Sequence, residues 1–150
     1  MAHWLFKSEP EAYSIDDLAH DKIEPWTGIR NYQVRNMIRD DMQVGDEIIF
    51  YHSSCKVPGA AGIARVASEA YPDPLQFDPS SNYFDNKSPK AEPRWLVVDV
   101  QYVRKFKRIV SLTELKQHPG LADFLLNRRG SRLSVFPVSD AHWQIVLGLE

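Results

Sequence analysis

The segment comprising residues 26–36 combines the side chains that a ligand site requires. It holds a tryptophan, a glycine, two arginines, two asparagines, a tyrosine and a glutamine, but only two aliphatic residues. An aromatic face can stack on a flat ring, and arginines can pair with an anion. The segment therefore predicts a site for a nucleotide or another flat, partly anionic ligand.

Local signals place this segment at the start of a helix. Pro25 ends the preceding element, and Gly28 allows a sharp turn or the close approach of a ligand. Asn31 can cap a helix that runs to about Arg39, with Val34 directed towards the core. The alternative interpretation is a core tryptophan followed by a stripe of solvated arginines.

The composition limits the classes of protein that fit. A chain of 150 residues with 43% hydrophobic and 25% charged residues predicts a single globular domain covering residues 1–150. The net charge of −2 excludes a broad basic surface, so any contact with nucleic acid must be local. The single cysteine, Cys55, favours a reducing compartment. No signal peptide or membrane-length apolar stretch is evident, and we expect a cytoplasmic protein without a membrane partner.

The elements around the site predict an α+β fold. Alternating or continuous apolar runs predict about five strands, at residues 4–7, 48–52, 63–67, 94–106 and 133–138. Ser14, Ser111 and Ser139 stand at positions typical of helix caps, and a short helix is expected over residues 121–126. Strands and helices do not alternate, which favours a curled, mostly antiparallel sheet or small barrel with peripheral short helices.

Catalytic and metal-binding patterns find little support in the sequence. The five histidines and the cysteine lack metal-ligand spacing, and we expect neither a metal nor a cofactor. No phosphate-binding loop or dinucleotide fingerprint is present. Asp73 and Asp85 stand beside turn formers in a long loop over residues 71–93, and we interpret them as turn residues.

Seven segments taken together resemble the EVE domain family of the PUA-like superfamily. They begin with Trp4-Leu5 and residues 7–10 and continue through residues 26–36, 44–46, 50–53, 71–74, 93–99 and 128–138. The resemblance covers essentially the whole chain in order. It implies a PUA-like curled β-barrel with a pocket for a modified nucleobase. Three positions depart from the family pattern, since Thr27 replaces the usual acid, Val34 the usual alanine and Phe136 the usual glutamine.

The resemblance and the residue types together lead to one functional hypothesis, a non-catalytic reader of a modified base in DNA or RNA. A base stacks on an aromatic face, hydroxyls and amides read its edge, and cations hold the flanking phosphates. The expected base-binding residues are Ser8, Trp26, Gly28, Arg30, Asn31, Tyr32, His52, Ser53, Tyr71, Trp95 and Ser134. The expected phosphate-binding residues are Lys7, Arg30, Arg35, Arg128 and Arg129.

Two alternatives remain open at this level. The first is an enzyme acting on a nucleotide or modified base, with His52, Asp73 and Asp85 as its reactive groups. The second is an adaptor that binds protein through the loop over residues 71–93. No catalytic constellation is recognised in the sequence, and a partner nuclease is not identifiable from it.

Overall fold

A six-stranded mixed sheet, curled into a half-barrel, forms the centre of the molecule. The computed structural model describes residues 1–128 and 133–150. The strands are β1 (His3–Ser8), β2 (Ile23–Pro25), β3 (Glu47–His52), β4 (Gly59–Val66), β5 (Tyr71–Pro72), β6 (Leu96–Val97), β7 (Asp99–Ser111) and β8 (Val135–Val138). The helices are α1 (Ile15–Asp21), α2 (Tyr32–Asp40), α3 (Leu112–Gln117) and α4 (Asp140–Leu149). This architecture confirms the predicted PUA-like α+β fold.

The sheet has the order β2-β7-β4-β3-β1-β8, and β5 and β6 form a separate two-stranded ribbon. Among the described strands, β1 and β3 are parallel and the other neighbours are antiparallel, as expected for a mostly antiparallel sheet. The prediction of about five strands was too low. The additional strands β2, β5 and β6 have only two or three residues, too few for a recognisable alternation.

The longest strand differs from its predicted limits of residues 94–106. Strand β7 begins at Asp99 and continues to Ser111, because its later residues pair with the beginning of β4. The residues before it leave the main sheet, and Leu96 and Val97 pair with β5 instead. Long-range pairing therefore set both ends of this strand.

The helices begin at the predicted caps. Ser14 and Ser111 form capping boxes with Asp17 and Glu114, and Ser139 accepts a hydrogen bond at the start of α4. The predicted helix over residues 121–126 was wrong, since two short 3-10 turns occupy Pro119–Leu121 and Leu125–Asn127. The Asn127 side chain donates to the carbonyl of Leu121 at 3.0 Å, in place of a helical N–H.

Both faces of the sheet are covered by apolar packing. Along β1, Trp4 and Phe6 face one core cluster with α1 and α2, whereas Leu5 faces the other with α3 and α4. Trp143 is buried in the second cluster, so the core positions predicted for Trp4 and Trp143 are confirmed. Within the described ranges, none of the helices has the length and apolar character needed to cross a bilayer.

Candidate functional site

The loop carrying Trp26 leaves the edge of the sheet in a fixed path. The Trp26 amide donates to the carbonyl of Val98 at 3.0 Å, which ties the residue to the chain just before β7. Gly28 has φ +87°, a conformation that side chains other than glycine rarely adopt. A Cβ atom at Gly28 would lie 2.8 Å from Cζ of Tyr83, so the loop also requires the absence of a side chain there.

A buried carboxylate joins this loop to the long loop over residues 71–93. Asp73 is fully buried, and its Oδ2 accepts from the Gly28 amide at 2.9 Å and from Nη1 of Arg30 at 3.0 Å. Arg30 also donates to the carbonyl of Tyr83 from Nε at 3.1 Å and from Nη2 at 2.7 Å. Asp73 does accept from the Leu75 amide, as a turn residue does, but it is also the clamp between two loops.

The long loop is ordered from within by a buried glutamine. Gln76 is fully buried, and its amide nitrogen donates to the carbonyls of Asp73 and Trp95 at 2.8 and 2.9 Å. Its amide oxygen accepts from the Ser88 hydroxyl at 2.6 Å and the Trp95 amide at 3.1 Å. These four bonds join Gln76 to Asp73, Ser88 and Trp95, and its backbone carbonyl accepts from the Asp85 amide at 2.9 Å, so Gln76 holds the segment that carries Tyr83. No pattern in the sequence distinguishes this glutamine from an exposed one.

A cavity of about 490 Å³ opens at the junction of these loops and β1. We call it the Trp26 cavity; its lining residues are Lys7, Ser8, Glu9, Ala12, Tyr13, Glu24, Pro25, Trp26, Thr27, Gly28, Ile29, Tyr83 and Ser134. This volume falls within the range of about 300–1,000 Å³ typical of small-molecule sites. The walls combine three aromatic side chains with hydroxyls, two carboxylates and one ammonium group.

Trp26 is a half-buried wall of this cavity with an aromatic support behind it. Its ring packs on Phe6 at 5.7 Å, on Phe50 at 5.7 Å and on Tyr13 at 6.2 Å between centroids. The last two contacts are edge-on, the arrangement that aromatic quadrupoles favour. The two interpretations of the tryptophan therefore combine, because the ring packs against the core and also lines the cavity.

The hydrogen-bonding groups of the cavity are partly withdrawn from water. The Ser8 hydroxyl donates to the carbonyl of Tyr13 at 2.5 Å, which leaves its oxygen lone pairs for an incoming donor. Burial lowers the pKa of Lys7. Burial, reinforced by the charge of Asp21, raises the pKa of Glu24. Desolvation strengthens hydrogen bonds to such groups, so this lining suits recognition of a polar ring edge.

A second, smaller cavity of about 280 Å³ shares Lys7 with the first. Its lining also includes Ser53, Cys55 and Lys116. Burial, with the nearby Cys55, raises the pKa of Tyr51 in its wall to about 12, so this hydroxyl stays protonated at neutral pH. The structure thus places Ser53 beside the Trp26 cavity rather than in it. Two lysines at the rim give this neighbouring cavity a local positive charge.

The structure brings five of the predicted site residues around the Trp26 cavity. They are Lys7, Ser8, Trp26, Gly28 and Ser134. Sequence reasoning missed Glu24 and Tyr83, which belong to the same lining. Tyr83 is 45% exposed within the polar loop, and an aromatic residue among turn formers was the signal that could have identified it.

Trp95 lies in the scaffold rather than in the cavity wall. It is 5% exposed, and its indole N–H donates to Oδ2 of Asp85 at 2.8 Å. Tyr32 packs on its ring at 4.8 Å between centroids. The guanidinium of Arg30 lies 5.4 Å from its centroid. The aromatic wall expected at Trp95 is therefore corrected to a buried support, because burial in the loop network leaves its faces to protein.

Several other predicted contacts are occupied by the protein itself. Arg30 is held by Asp73 and Tyr83 as described, and Arg35 donates to the carbonyl of Arg94 at 2.8 Å. Asn31 accepts from the Val34 amide at 3.0 Å as the cap of α2. These bonds favour structural roles for Arg30, Arg35 and Asn31 over direct contact with a ligand.

Tyr71 and His52 also take part in internal bonds. The Tyr71 hydroxyl donates to Oδ1 of Asp99 at 2.6 Å, and burial together with this bond raises the pKa of Tyr71 to about 12. His52 Nε2 accepts the Ile15 amide at 3.0 Å, and burial lowers the pKa of the imidazole. Both side chains therefore hold the scaffold in place around the cavity.

The remaining predicted positions lie elsewhere. Arg128 is exposed after the last 3-10 turn, and Arg129 lies outside the described residues. Thr27 lines the Trp26 cavity, whereas Phe136 is fully buried and lies beneath the Lys7 ammonium at 5.9 Å. Val34 is fully buried as well, so of the three departures from the family pattern only the one at Thr27 reaches the cavity lining.

The groups named as reactive in the enzyme alternative are each engaged in hydrogen bonds to other parts of the protein. Asp73 is clamped by Gly28 and Arg30, and His52 is tied to α1. Asp85 accepts from the indole of Trp95, a bond that lowers the pKa of its carboxyl. Among residues 1–128 and 133–150, no three His, Cys, Asp or Glu side chains cluster closely enough to hold a metal.

The half-barrel with an aromatic-lined cavity beside β1 is the architecture of a PUA-like domain. The profile of the EVE domain matches residues 2–149, and the chain belongs to the EVE domain family. Human thymocyte nuclear protein 1 is 41% identical over 99% of this chain and 74% of its own length.

Two solved structures show the same fold. The crystal structure of a protein from Pseudomonas putida has a TM-score of 0.95 and 49% identity, and 99% of each chain is covered. Human thymocyte nuclear protein 1 in complex with 5-methylcytosine-containing DNA has a TM-score of 0.93 and 40% identity over 99% of this chain and 97% of that one.

Proposed function

We propose that this protein is a non-catalytic reader of DNA carrying a modified base, with 5-methylcytosine as the first candidate. The observation that carries the proposal is the Trp26 cavity. Its aromatic wall lies at the junction of two loops that Asp73 joins through its bonds to Gly28 and Arg30. The human relative crystallised with 5-methylcytosine-containing DNA supports the choice of ligand.

The geometry suits a base that has left the DNA stack. Trp26 offers a ring face for stacking, which is worth about 1–3 kcal/mol per base. Tyr83 is positioned by Gly28 and Arg30 in the same lining. Stacking on these rings offsets part of the cost of about a few kcal/mol for taking a base out of the duplex.

The charge distribution fits a short contact with the backbone. The chain has a net charge of −2, and its cavity cations are Lys7 and, at the neighbouring cavity, Lys116. With few neutralised phosphates, non-specific affinity is low and most of the selectivity must come from the base. A protein that selects a rare base requires this combination of weak backbone binding and strong selectivity for the base.

The internal hydrogen bonds of the acidic and imidazole groups favour binding without catalysis. Asp73 has both carboxylate oxygens in hydrogen bonds to the protein, and His52 uses Nε2 for the Ile15 amide. A general base has to reach the proton that it removes. These groups are instead committed to holding loops and helix ends.

A comparison of matched oligonucleotides tests the proposal. Wild-type protein is titrated into one duplex with a single 5-methylcytosine and into the same duplex with cytosine, and an RNA of the same sequence is measured in parallel. We expect tighter binding to the methylated duplex and recovery of unchanged DNA by mass spectrometry. Equal affinity for both duplexes, or a change in the mass of the base, would overturn the proposed function.

A further inference from the structure

The polar groups facing the Trp26 cavity are biased towards hydrogen-bond acceptors on one side. Glu24 contributes a carboxylate from β2, two residues before the stacking residue Trp26 in the chain. The Ser8 hydroxyl hydrogen is used on the Tyr13 carbonyl, so its oxygen faces the cavity as an acceptor. Lys7 is the ammonium donor of the lining. A ligand edge that matches this set has a donor beside an acceptor.

The methyl group of a base cannot supply all the selectivity in such a site. Thymine and 5-methylcytosine both carry a methyl group at C5, so an apolar surface that accepts one accepts the other. They differ at C4, where cytosine has an amino donor and thymine has a carbonyl acceptor. A protein that reads 5-methylcytosine therefore needs an acceptor directed at C4 to reject the far commoner thymine.

We propose that Glu24 is this acceptor and that the Trp26 cavity selects amino-bearing pyrimidines over thymine. The inference rests on the proposed function. The Glu24 carboxylate accepts from the exocyclic amino group, and the Lys7 ammonium donates to the ring carbonyl or nitrogen on the adjoining edge. A thymine in the same pose places its C4 carbonyl against a carboxylate, an acceptor facing an acceptor in a partly desolvated site.

The surroundings of Glu24 support this role. The Tyr13 hydroxyl donates to Asp21 at 2.9 Å, and it also lies close enough to Glu24 to favour the ionised form of that carboxyl. Burial and the charge of Asp21 disfavour the ionised form of Glu24 in the unliganded protein. A donor brought in by the base offsets that cost, which makes a base amino group a favourable partner.

The test uses duplexes in which the variable base stands opposite an abasic site, so that no base pair has to be broken in any of them. The variable bases are 5-methylcytosine, cytosine and thymine. For the wild type we expect a preference for 5-methylcytosine over thymine of about five- to 150-fold, the range for one good hydrogen-bonded base contact.

The variant Glu24→Gln has a side-chain amide that can turn to donate to a carbonyl or to accept from an amino group. Its preference for 5-methylcytosine over thymine should fall below about threefold, while its preference for 5-methylcytosine over cytosine persists. Glu11→Gln removes the same charge at an exposed position and should keep the wild-type ratios. Thermal melts confirm that both variants are folded.

The outcomes separate the two proposals. A wild type that prefers 5-methylcytosine over cytosine but binds thymine equally well would overturn the role of Glu24 and leave the proposed function intact. A Glu24→Gln variant with the wild-type thymine ratio would also overturn it. A wild type that does not distinguish 5-methylcytosine from cytosine would remove the proposed function itself.

Discussion

Replacing Trp26 by alanine tests whether the tryptophan face is the platform for the base. The ring makes three aromatic contacts, with Phe6, Tyr13 and Phe50. At roughly 0.5–1.5 kcal/mol each, their loss should lower the free energy of unfolding by about 1.5–4.5 kcal/mol. For a chain of this length that corresponds to a decrease in melting temperature of about 3–18 °C. Part of the wall therefore contributes to stability as well as to binding.

The effect on binding should exceed what the loss of stability explains. A lost stacking contact worth about 1–3 kcal/mol weakens affinity for the methylated duplex about five- to 150-fold. The unmodified duplex, held mainly through its phosphates, should lose much less. Titrations are made well below the melting temperature of each variant, with the folded fraction measured by circular dichroism.

Two matched variants complete the comparison. Trp26→Phe keeps an aromatic face and should retain more affinity than the alanine variant. Trp143→Ala empties a core position and should cost about 3–5 kcal/mol in stability without loss of base preference at temperatures where it is folded. If Trp26→Ala bound both duplexes as the wild type does, Trp26 would be a packing residue and the cavity would need another ligand.

Three further predictions follow from the scaffold. Asp73→Ala should lower the free energy of unfolding by about 1–3 kcal/mol in chemical denaturation and weaken base preference, because the Gly28 amide loses its partner and the half-buried Arg30 keeps only its carbonyl acceptors; unchanged stability would contradict the clamp. Burial lowers the pKa of His52, and protonation of Nε2 would break the hydrogen bond from the Ile15 amide. The stability that the neutral imidazole contributes is therefore present above a pH of about 6.5 and should be lost as the pH falls. The wild-type melting temperature should therefore fall more than that of His52→Gln between about pH 7.5 and pH 5; parallel decreases would refute this assignment. The wild-type slope of log affinity against log salt should be about −1.5 to −3.5, and Lys116→Gln should make it shallower by about 1 for both duplexes. Lys90, an exposed lysine outside both cavity linings, provides the control variant Lys90→Gln, which should keep the wild-type slope. A wild-type slope near −8 would show a far larger interface.

The sequence alone determined the local features of this protein. The caps at Ser14, Asn31 and Ser111 were predictable because the side chain at each position bonds to the amide three residues later. Gly28 could also be recognised as a turn position, because its positive φ is a conformation that glycine adopts readily. The family was recognisable from segments in order along the chain, which fixed the PUA-like fold.

Only the tertiary structure decided which polar residues face the ligand cavity. Arg30 and Trp95 had the residue types of a binding site, but both are bonded to the long loop, Arg30 to the Tyr83 carbonyl and Trp95 to Asp85. Ser53 follows β3 and lies at a different cavity from Ser8, which is the last residue of β1. Short-range patterns in the sequence do not indicate which cavity a residue will face.

The clamp at Asp73 shows the physical reason for this division. Its carboxylate meets the amide of Gly28 across 45 positions of the chain, and the guanidinium of Arg30 across 43. Such pairs form because burying a carboxylate without partners costs several kcal/mol, and the fold satisfies it with whatever donors the sheet brings near. The sequence indicates that Asp73 is a turn residue. Only the strand register brings it to Gly28 and Arg30, where it positions the wall of the Trp26 cavity.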